Sequence, residues 1–185
     1  LGKSRTERFE SWNEFAAMLE PLLSEEDATL SSLSDGEEFS AMRRLAFFQR
    51  FSDTELWEVV RRCRCRKFSA GAELIREGLE DDQIYVLAAG MLKVTRRGKL
   101  LNTVSPGECV GEMVYARRSS APRSATVTVM ETSWVLGLRA QDIDGFSDSC
   151  RARFSEAFLS VMAERLSMLG GRLLSVMHEQ KVGLV

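Results

Sequence analysis

Gly111-Glu112-Met113 and, after a short polar stretch, Ala121-Pro122-Arg123-Ser124-Ala125-Thr126-Val127-Thr128-Val129 carry the most telling pattern in the chain. Ala125, Val127 and Val129 alternate with Thr126 and Thr128. A period of two is that of a strand with one buried face. Glycines at 107 and 111 let backbone come close to a ligand. A short helix beginning near Glu112 would aim free amides at an anion. Arg123 adds a permanent charge in a planar fork suited to phosphate oxygens. Glu112 only accepts hydrogen bonds and shares the sign of a phosphate, so it calls for a hydroxyl donor on the same ligand. An anion and a hydroxyl on one small molecule describe a ribose phosphate. By spacing alone, the two residues also fit a plain surface ion pair, an interaction worth little.

Working outward, short β-favouring runs lie around this stretch: Phe68, Glu73–Arg76, Gln83–Leu87, Met91–Thr95, Lys99–Thr103 and Ser133–Leu138. Gly71, Gly78, Gly90, Gly98 and Gly107 punctuate them, and Arg97-Gly98 predicts a tight hairpin turn. Short strands at about ten-residue spacing argue for a barrel or sandwich. Helical patterns flank it. On the N-terminal side, Trp12, Phe15, Ala16, Leu19 and Leu22 have helical spacing, and a polar stretch follows. A helix restarts after Ser34 or Asp35 with Phe39, Met42 and Leu45 on one face. Ser52-Asp53-Thr54-Glu55 is a capping box opening another helix, with Leu56, Val59 and Val60 inside. On the C-terminal side, Ala140–Phe146 reads as a short helix, and Ser147-Asp148-Ser149 offers caps for a long one from about Arg151 to His178. Leu159, Met162, Leu166, Leu169, Leu173 and Val176 form a heptad stripe on it, which either pairs with a second copy in a homodimer or covers the barrel. Gly170-Gly171 weakens it by about 1 kcal/mol per glycine. The expected fold is α+β: a β-barrel or jelly-roll of about eight strands, with flanking N-terminal helices and a long C-terminal helix. The expected division is a helical segment and linker over 1–38, a domain over 39–178 and a tail over 179–185.

Composition narrows the functional classes. The chain has 185 residues, 44% hydrophobic and 28% charged, with a net charge of -2. A dedicated nucleic-acid binder is usually basic, so no nucleic-acid partner is expected. The run Arg61-Arg62-Cys63-Arg64-Cys65-Arg66-Lys67 reads as a solvated helix end and strand start. Cys63, Cys65, Cys109 and Cys150 have no C-x-x-C spacing, and His178 is the sole histidine. No metal site and no catalytic group follow from these residues. Four reduced thiols point to the cytoplasm. No apolar run is long enough to span a membrane. A chain starting at Leu1 reads as a piece of a longer protein.

The stretch from about Phe48 to Leu173 resembles the cyclic nucleotide-binding domain, the family of the catabolite activator protein and the protein kinase A regulatory subunits. The resemblance runs in order through Phe68-Ser-Ala-Gly71-Ala-Glu73-Leu-Ile75, Glu77-Gly78, Tyr85-Val86, Gly90, Val94 and Pro106-Gly107-Glu108. Gly111-Glu112 and Arg123-Ser124-Ala125 look like the two ends of the family's phosphate-binding cassette. The resemblance implies a ligand, cyclic AMP or cyclic GMP. Glu112 would accept from its ribose 2′-hydroxyl and Arg123 would pair with its cyclic phosphate. Gly111, Glu112, Met113, Arg123, Ser124 and Ala125 would line the site. Arg165, Met168 and Leu169 on the long helix are the candidates to cover the base. Met113–Ala121 is a residue or two longer than in the best-known members, with the extra length placed in Ala116-Arg-Arg-Ser-Ser-Ala121.

A second resemblance covers about twenty residues. Leu1-Gly-Lys-Ser-Arg-Thr-Glu-Arg8-Phe-Glu-Ser-Trp12-Asn-Glu-Phe15 is similar to the end of a bacterial serine/threonine protein kinase domain. No glycine-rich nucleotide loop, His-Arg-Asp or Asp-Phe-Gly is present, so no kinase activity is expected of this chain itself. The expected function is a regulatory module that senses a cyclic nucleotide and relays occupancy, by movement of its last helix, to an attached effector, a serine/threonine kinase. The alternatives are a cyclic-nucleotide-responsive transcription regulator whose DNA-binding part is not in this chain, and a dimerisation module whose pocket binds nothing.

Overall fold

The computed structural model describes residues 35–117 and 121–182, with the backbone alone for 172–182. The expected Trp12–Leu22 helix, the linker after it and the kinase-like stretch lie outside the described residues. Helix α1 (Asp35–Arg44) runs through a 3-10 turn (Ala46–Phe48) to helix α2 (Asp53–Arg62). Residue 38, the expected end of the N-terminal segment, falls inside α1, where Glu38 is buried. The capping box forms as its residues require: the Glu55 amide donates to Ser52 Oγ at 3.3 Å, and the Ser52 amide donates to Glu55 Oε2 at 2.7 Å. Two amides otherwise orphaned at the helix start are satisfied in this way. Leu56, Val59 and Val60 then lie fully inside.

Strands β1 (Arg64–Phe68), β2 (Glu73–Ile75), β3 (Gln83–Ala89), β4 (Leu92–Arg96), β5 (Lys99–Val104), β6 (Cys109–Val110), β7 (Thr126–Val129) and β8 (Ser133–Arg139) follow. Between β6 and β7 sits a short helix α3 (Met113–Arg117). After β8 come α4 (Ala140–Ile143) and the long α5 (Asp148–Val182). The strands make two four-stranded sheets, β1-β8-β3-β6 and β2-β7-β4-β5. All the pairings between neighbours are antiparallel. This is the expected jelly-roll. Arg97 and Gly98 both take positive φ, 50° and 73°, and bring Arg96 opposite Lys99 in a two-residue hairpin.

Two cores explain why some strands alternate and others do not. Between the sheets, Val127 and Val129 of β7 meet Leu87, Leu92, Val110 and Val135, while Thr126 and Thr128 stay half-exposed. On the far side of the first sheet, helices cover β3 and β8. Ile84, Val86 and Ala88 face the helices, and so do Trp134, Leu136 and Leu138. Strands covered on both faces read as continuous apolar runs, as Gln83–Ala89 does. Gly90 is the tightest turn beside them. A β-carbon there would lie 2.2 Å from Ser133 Oγ, at φ +94°.

Helix α5 is moored by aromatic packing. Phe154 and Phe158 are fully buried against Phe47, and Phe154 also meets Phe51 and Phe146 edge-on or tilted. Ser147 caps the helix by accepting from the Cys150 amide at 3.3 Å. The Ser147 amide and hydroxyl both donate to Glu58, which ties the start of α5 to α2. That cap begins α5 three residues before the expected Arg151. Beyond Phe158 the stripe turns outward. Leu159, Leu166 and Leu169 are 60–70% exposed, so they do not cover the barrel, whereas Met162 packs on the core. Phe154→Ala, which empties the centre of this cluster, is expected to cost about 3–5 kcal/mol in urea unfolding, whereas Leu166→Ala changes it by under about 0.5 kcal/mol.

Candidate functional site

At one end of the barrel, a cavity of about 720 Å³ opens between the second sheet, α3 and α5. All nine residues expected at the site line it: Gly111, Glu112, Met113, Arg123, Ser124 and Ala125 from the two ends of the loop, and Arg165, Met168 and Leu169 from α5. The size and lining suit a small amphipathic ligand. The remaining wall is largely apolar, with Ile75, Val94 and Val110 below and Leu100 and Leu101 at the rim. Ser124 is exposed, and Met113, Met168 and Leu169 are each more than 40% exposed. Residues 118–120, where part of the expected extra loop length falls, lie outside the described residues.

Glu112 and Arg123 are both buried, at 2% and 7% exposure. The surface ion pair between them that spacing alone allowed does not form. Each is paired elsewhere. Arg123 Nε donates to Asp81 Oδ2 at 3.0 Å, and its Nη2 donates to Asp81 Oδ1 and to the Gln83 carbonyl. Its Nη1 donates to the Gly111 carbonyl at 3.2 Å. A guanidinium has five N–H donors, so one of them stays uncommitted to these acceptors. The backbone fixes Arg123 equally firmly. Its amide donates to the Leu79 carbonyl at 2.9 Å, and its carbonyl accepts from the Gly78 amide at 2.9 Å. The Glu77 amide donates to Thr126 Oγ1 at 3.0 Å, which straps the start of β7 to the same turn.

Glu112 immediately precedes α3. Its Oε1 accepts from Arg165 Nη1 at 2.5 Å, and Arg165 Nη2 donates to the Cys109 carbonyl. Glu112 Oε2 is buried and has no hydrogen-bond partner. A carboxylate oxygen left so in a dry site is costly until a donor reaches it. Gly111 sits at φ +89°, and a β-carbon there would lie 2.6 Å from the Gln83 carbonyl and 3.1 Å from Arg123 Nη1. No side chain fits between the cassette and the arginine. Helix α3 also reaches α5, through Tyr115 packed 5.2 Å from Phe158 and its hydroxyl 3.3 Å from Ser155 Oγ.

Asp81 was not singled out from sequence. It lies in Leu79-Glu80-Asp81-Asp82, an acidic stretch indistinguishable from a solvated loop. Burial alone would raise its carboxyl, but hydrogen bonds from Arg123 and the Gln83 amide outweigh that and hold it below the ordinary value of 3.8. The thiol nearest the site, Cys109, is pushed up by burial and then by the charge of Glu112, so it stays protonated. Among the described residues no group of three or more His, Cys, Asp or Glu is placed to hold a metal. Among them no helix is long and apolar enough to cross a membrane.

Residues 65–150 match the model of the family described as the cyclic nucleotide-binding domain. The cGMP-dependent protein kinase of Toxoplasma gondii is 24% identical over 115 residues, which are 62% of this chain and 11% of that protein. A cyclic nucleotide-gated potassium channel of Rhizobium etli is 34% identical over 102 residues, 55% of this chain and 28% of the channel. The matched stretch is therefore a small part of these relatives. A cyclic nucleotide-binding domain from Methylobacillus flagellatus superposes with a TM-score of 0.67 at 18% identity, covering 76% of this chain and 84% of that one.

The Arg123–Asp81 pair leads to a contrast in stability. Asp81→Ala leaves a buried guanidinium short of its counter-charge and is expected to cost about 2–3 kcal/mol, below the about 3–5 kcal/mol of breaking a fully buried pair because Asp81 is one-third exposed. Glu73→Ala, in the exposed Arg76–Glu73 pair, is expected to cost under about 1 kcal/mol. Because Asp81 is held low in the folded state, its contribution is complete above 3.8 and fades as pH falls through the lowered value. Unfolding of wild type and Asp81→Asn at neutral and strongly acid pH measures both effects, and the gap between them narrows in acid.

Proposed function

We propose that this cyclic nucleotide-binding domain senses cyclic AMP or cyclic GMP and itself catalyses nothing. The observation that carries the reading is the pairing of two buried opposite charges with an apolar wall in one pocket. A cyclic nucleotide has three matching parts. Its anionic ring phosphate suits Arg123, a charge-assisted donor with an N–H to spare. Its ribose 2′-hydroxyl suits Glu112, whose Oε2 lacks a donor. Its flat base suits the space bounded by Leu100, Leu101, Met168 and Leu169. A phosphate or a sugar alone would leave most of this surface unused.

Occupancy is relayed through α5, because α5 both lines the pocket and is rooted in the aromatic core. The recipient is an attached effector. The likeness of Leu1–Phe15 to the end of a kinase domain favours a serine/threonine kinase there, and the cGMP-dependent kinases among the relatives agree with that choice. Leu159, Leu166 and Leu169, exposed on α5, favour pairing of two copies through this helix. Sedimentation across concentrations checks the pairing. A concentration-dependent dimer that Leu166→Glu abolishes is expected, and a monomer throughout rejects it.

Calorimetry with cyclic AMP and cyclic GMP tests the ligand reading. Saturable heat with at least one of them is expected, and no heat from a folded protein at high concentration of either overturns it. Arg123→Ala is expected to lose about 1.5–3 kcal/mol of binding, the scale of a charged hydrogen bond, or roughly 10- to 150-fold in affinity. An unchanged affinity would mean the phosphate sits elsewhere.

A further inference from the structure

Among the described residues, three cations line the ligand cavity, and two of them are engaged: Arg123 by Asp81 and Arg165 by Glu112. The third, Arg96 of β4, makes no side-chain hydrogen bond or ion pair among the described residues. Strand geometry puts it there. Leu92 and Val94 face the core between the sheets, and Arg96 continues that face, at a period of two, to the rim of the cavity. On the neighbouring strand the register passes from Val94–Asn102 to Thr95–Leu100, so Leu101 is the extra residue of a bulge in β5. Leu100 and Leu101, though consecutive, both line the cavity. Arg96 stands opposite Lys99, beside Leu100, and so at the rim where these leucines bound the space for the base.

A guanidinium donates hydrogen bonds and never accepts them. Guanine presents two adjacent acceptors, N7 and O6, which match the fork of an arginine; adenine presents one acceptor, N7, beside the N6 amino donor. Asn102 and Ser124 also line the cavity. An amide and a hydroxyl each donate and accept, so those two side chains suit either base.

We propose that Arg96 reads the base and makes the site selective for cyclic GMP over cyclic AMP. Its guanidinium donates to N7 and O6 of guanine, and meets an unmatched amino group in adenine. This rests on the reading of the pocket as a cyclic nucleotide site. It assigns the choice of base to a donor-only side chain on β4, apart from Glu112 and Arg123, which serve the ribose and phosphate that both ligands share.

The test compares wild type, Arg96→Met and Arg96→Lys in calorimetry with cyclic GMP, cyclic AMP and cyclic IMP. Cyclic IMP keeps N7 and O6 but lacks the 2-amino group of guanine. Wild type is expected to bind cyclic GMP and cyclic IMP about 5- to 30-fold more tightly than cyclic AMP, the lower part of the range for a bidentate arginine–guanine contact because Arg96 is exposed. Arg96→Met, of similar reach but without donors, is expected to weaken the first two until all three ligands bind within about twofold of one another. Arg96→Lys, a point donor without the fork, falls between. An equal loss for all three ligands in Arg96→Met overturns the proposal, because Arg96 then serves the phosphate they share. A wild type without preference for cyclic GMP, a preference that survives Arg96→Met, or cyclic IMP ranking with cyclic AMP also overturns it. Each of these outcomes leaves the ligand site standing. No binding of any of the three by folded wild type removes the ligand site and this inference together.

Discussion

Two ionised side chains of opposite sign are buried at one end of the barrel, and the fold keeps them from pairing with each other. Burying a charge in an apolar site is tolerable only with a counter-charge and satisfied hydrogen bonds. Glu112 and Arg123 do not meet that requirement by pairing with each other. Instead each is matched to a partner from a different part of the chain. Asp81 comes from the loop before β3 and Arg165 from α5. The loop from Leu79 to Gln83, the cassette and the last helix are thereby held around one cavity by charge, while the two apolar cores hold the sheets.

The two partnerships differ in kind. Arg123–Asp81 is bidentate, reinforced by the Gly111 and Gln83 carbonyls, and its backbone is strapped to the turn at Gly78. That geometry positions a cation and leaves one N–H for a ligand. Glu112–Arg165 satisfies one carboxylate oxygen and leaves the other bare. The first pair is part of the scaffold. The second is incomplete in the way a site awaiting a donor is incomplete.

Much of the fold was legible because the relevant signals are local. The Ser52–Glu55 capping box, the Arg97-Gly98 turn and the alternation of Val127 and Val129 each depend on a few neighbouring residues, and each formed. Strand β6 was not legible, since Cys109 and Val110 are too short a run to show any period. Of the pocket, the cassette ends and the α5 residues could be named from motif order. Their partners could not. Asp81 is 42 residues from Arg123, and Arg165 is 53 from Glu112. Nothing local distinguishes Asp81 from Asp82, and the choice is made by the register that sets Gln83 opposite Arg139 at the start of β3. The heptad stripe on α5 shows the same limit. Its period is genuine, but whether a given leucine faces the barrel is decided by where the aromatic cluster fixes the helix.

That fixing point also divides α5 into a moored part and an outer part. Phe154 and Phe158 are buried among Phe47, Phe51, Phe146 and Tyr115, so rotating α5 as a whole would break this aromatic packing. Close-packed cores resist such continuous deformation. Beyond Phe158 the helix is held to the barrel by Met162, by Val161 at the edge of the core and by the Arg165 contacts. Glu112 therefore meets α5 beyond its aromatic mooring, through Arg165. Tyr115 meets Phe158 from the cassette side. Helix α3 and the outer part of α5 thus adjoin one aromatic ring, that of Phe158.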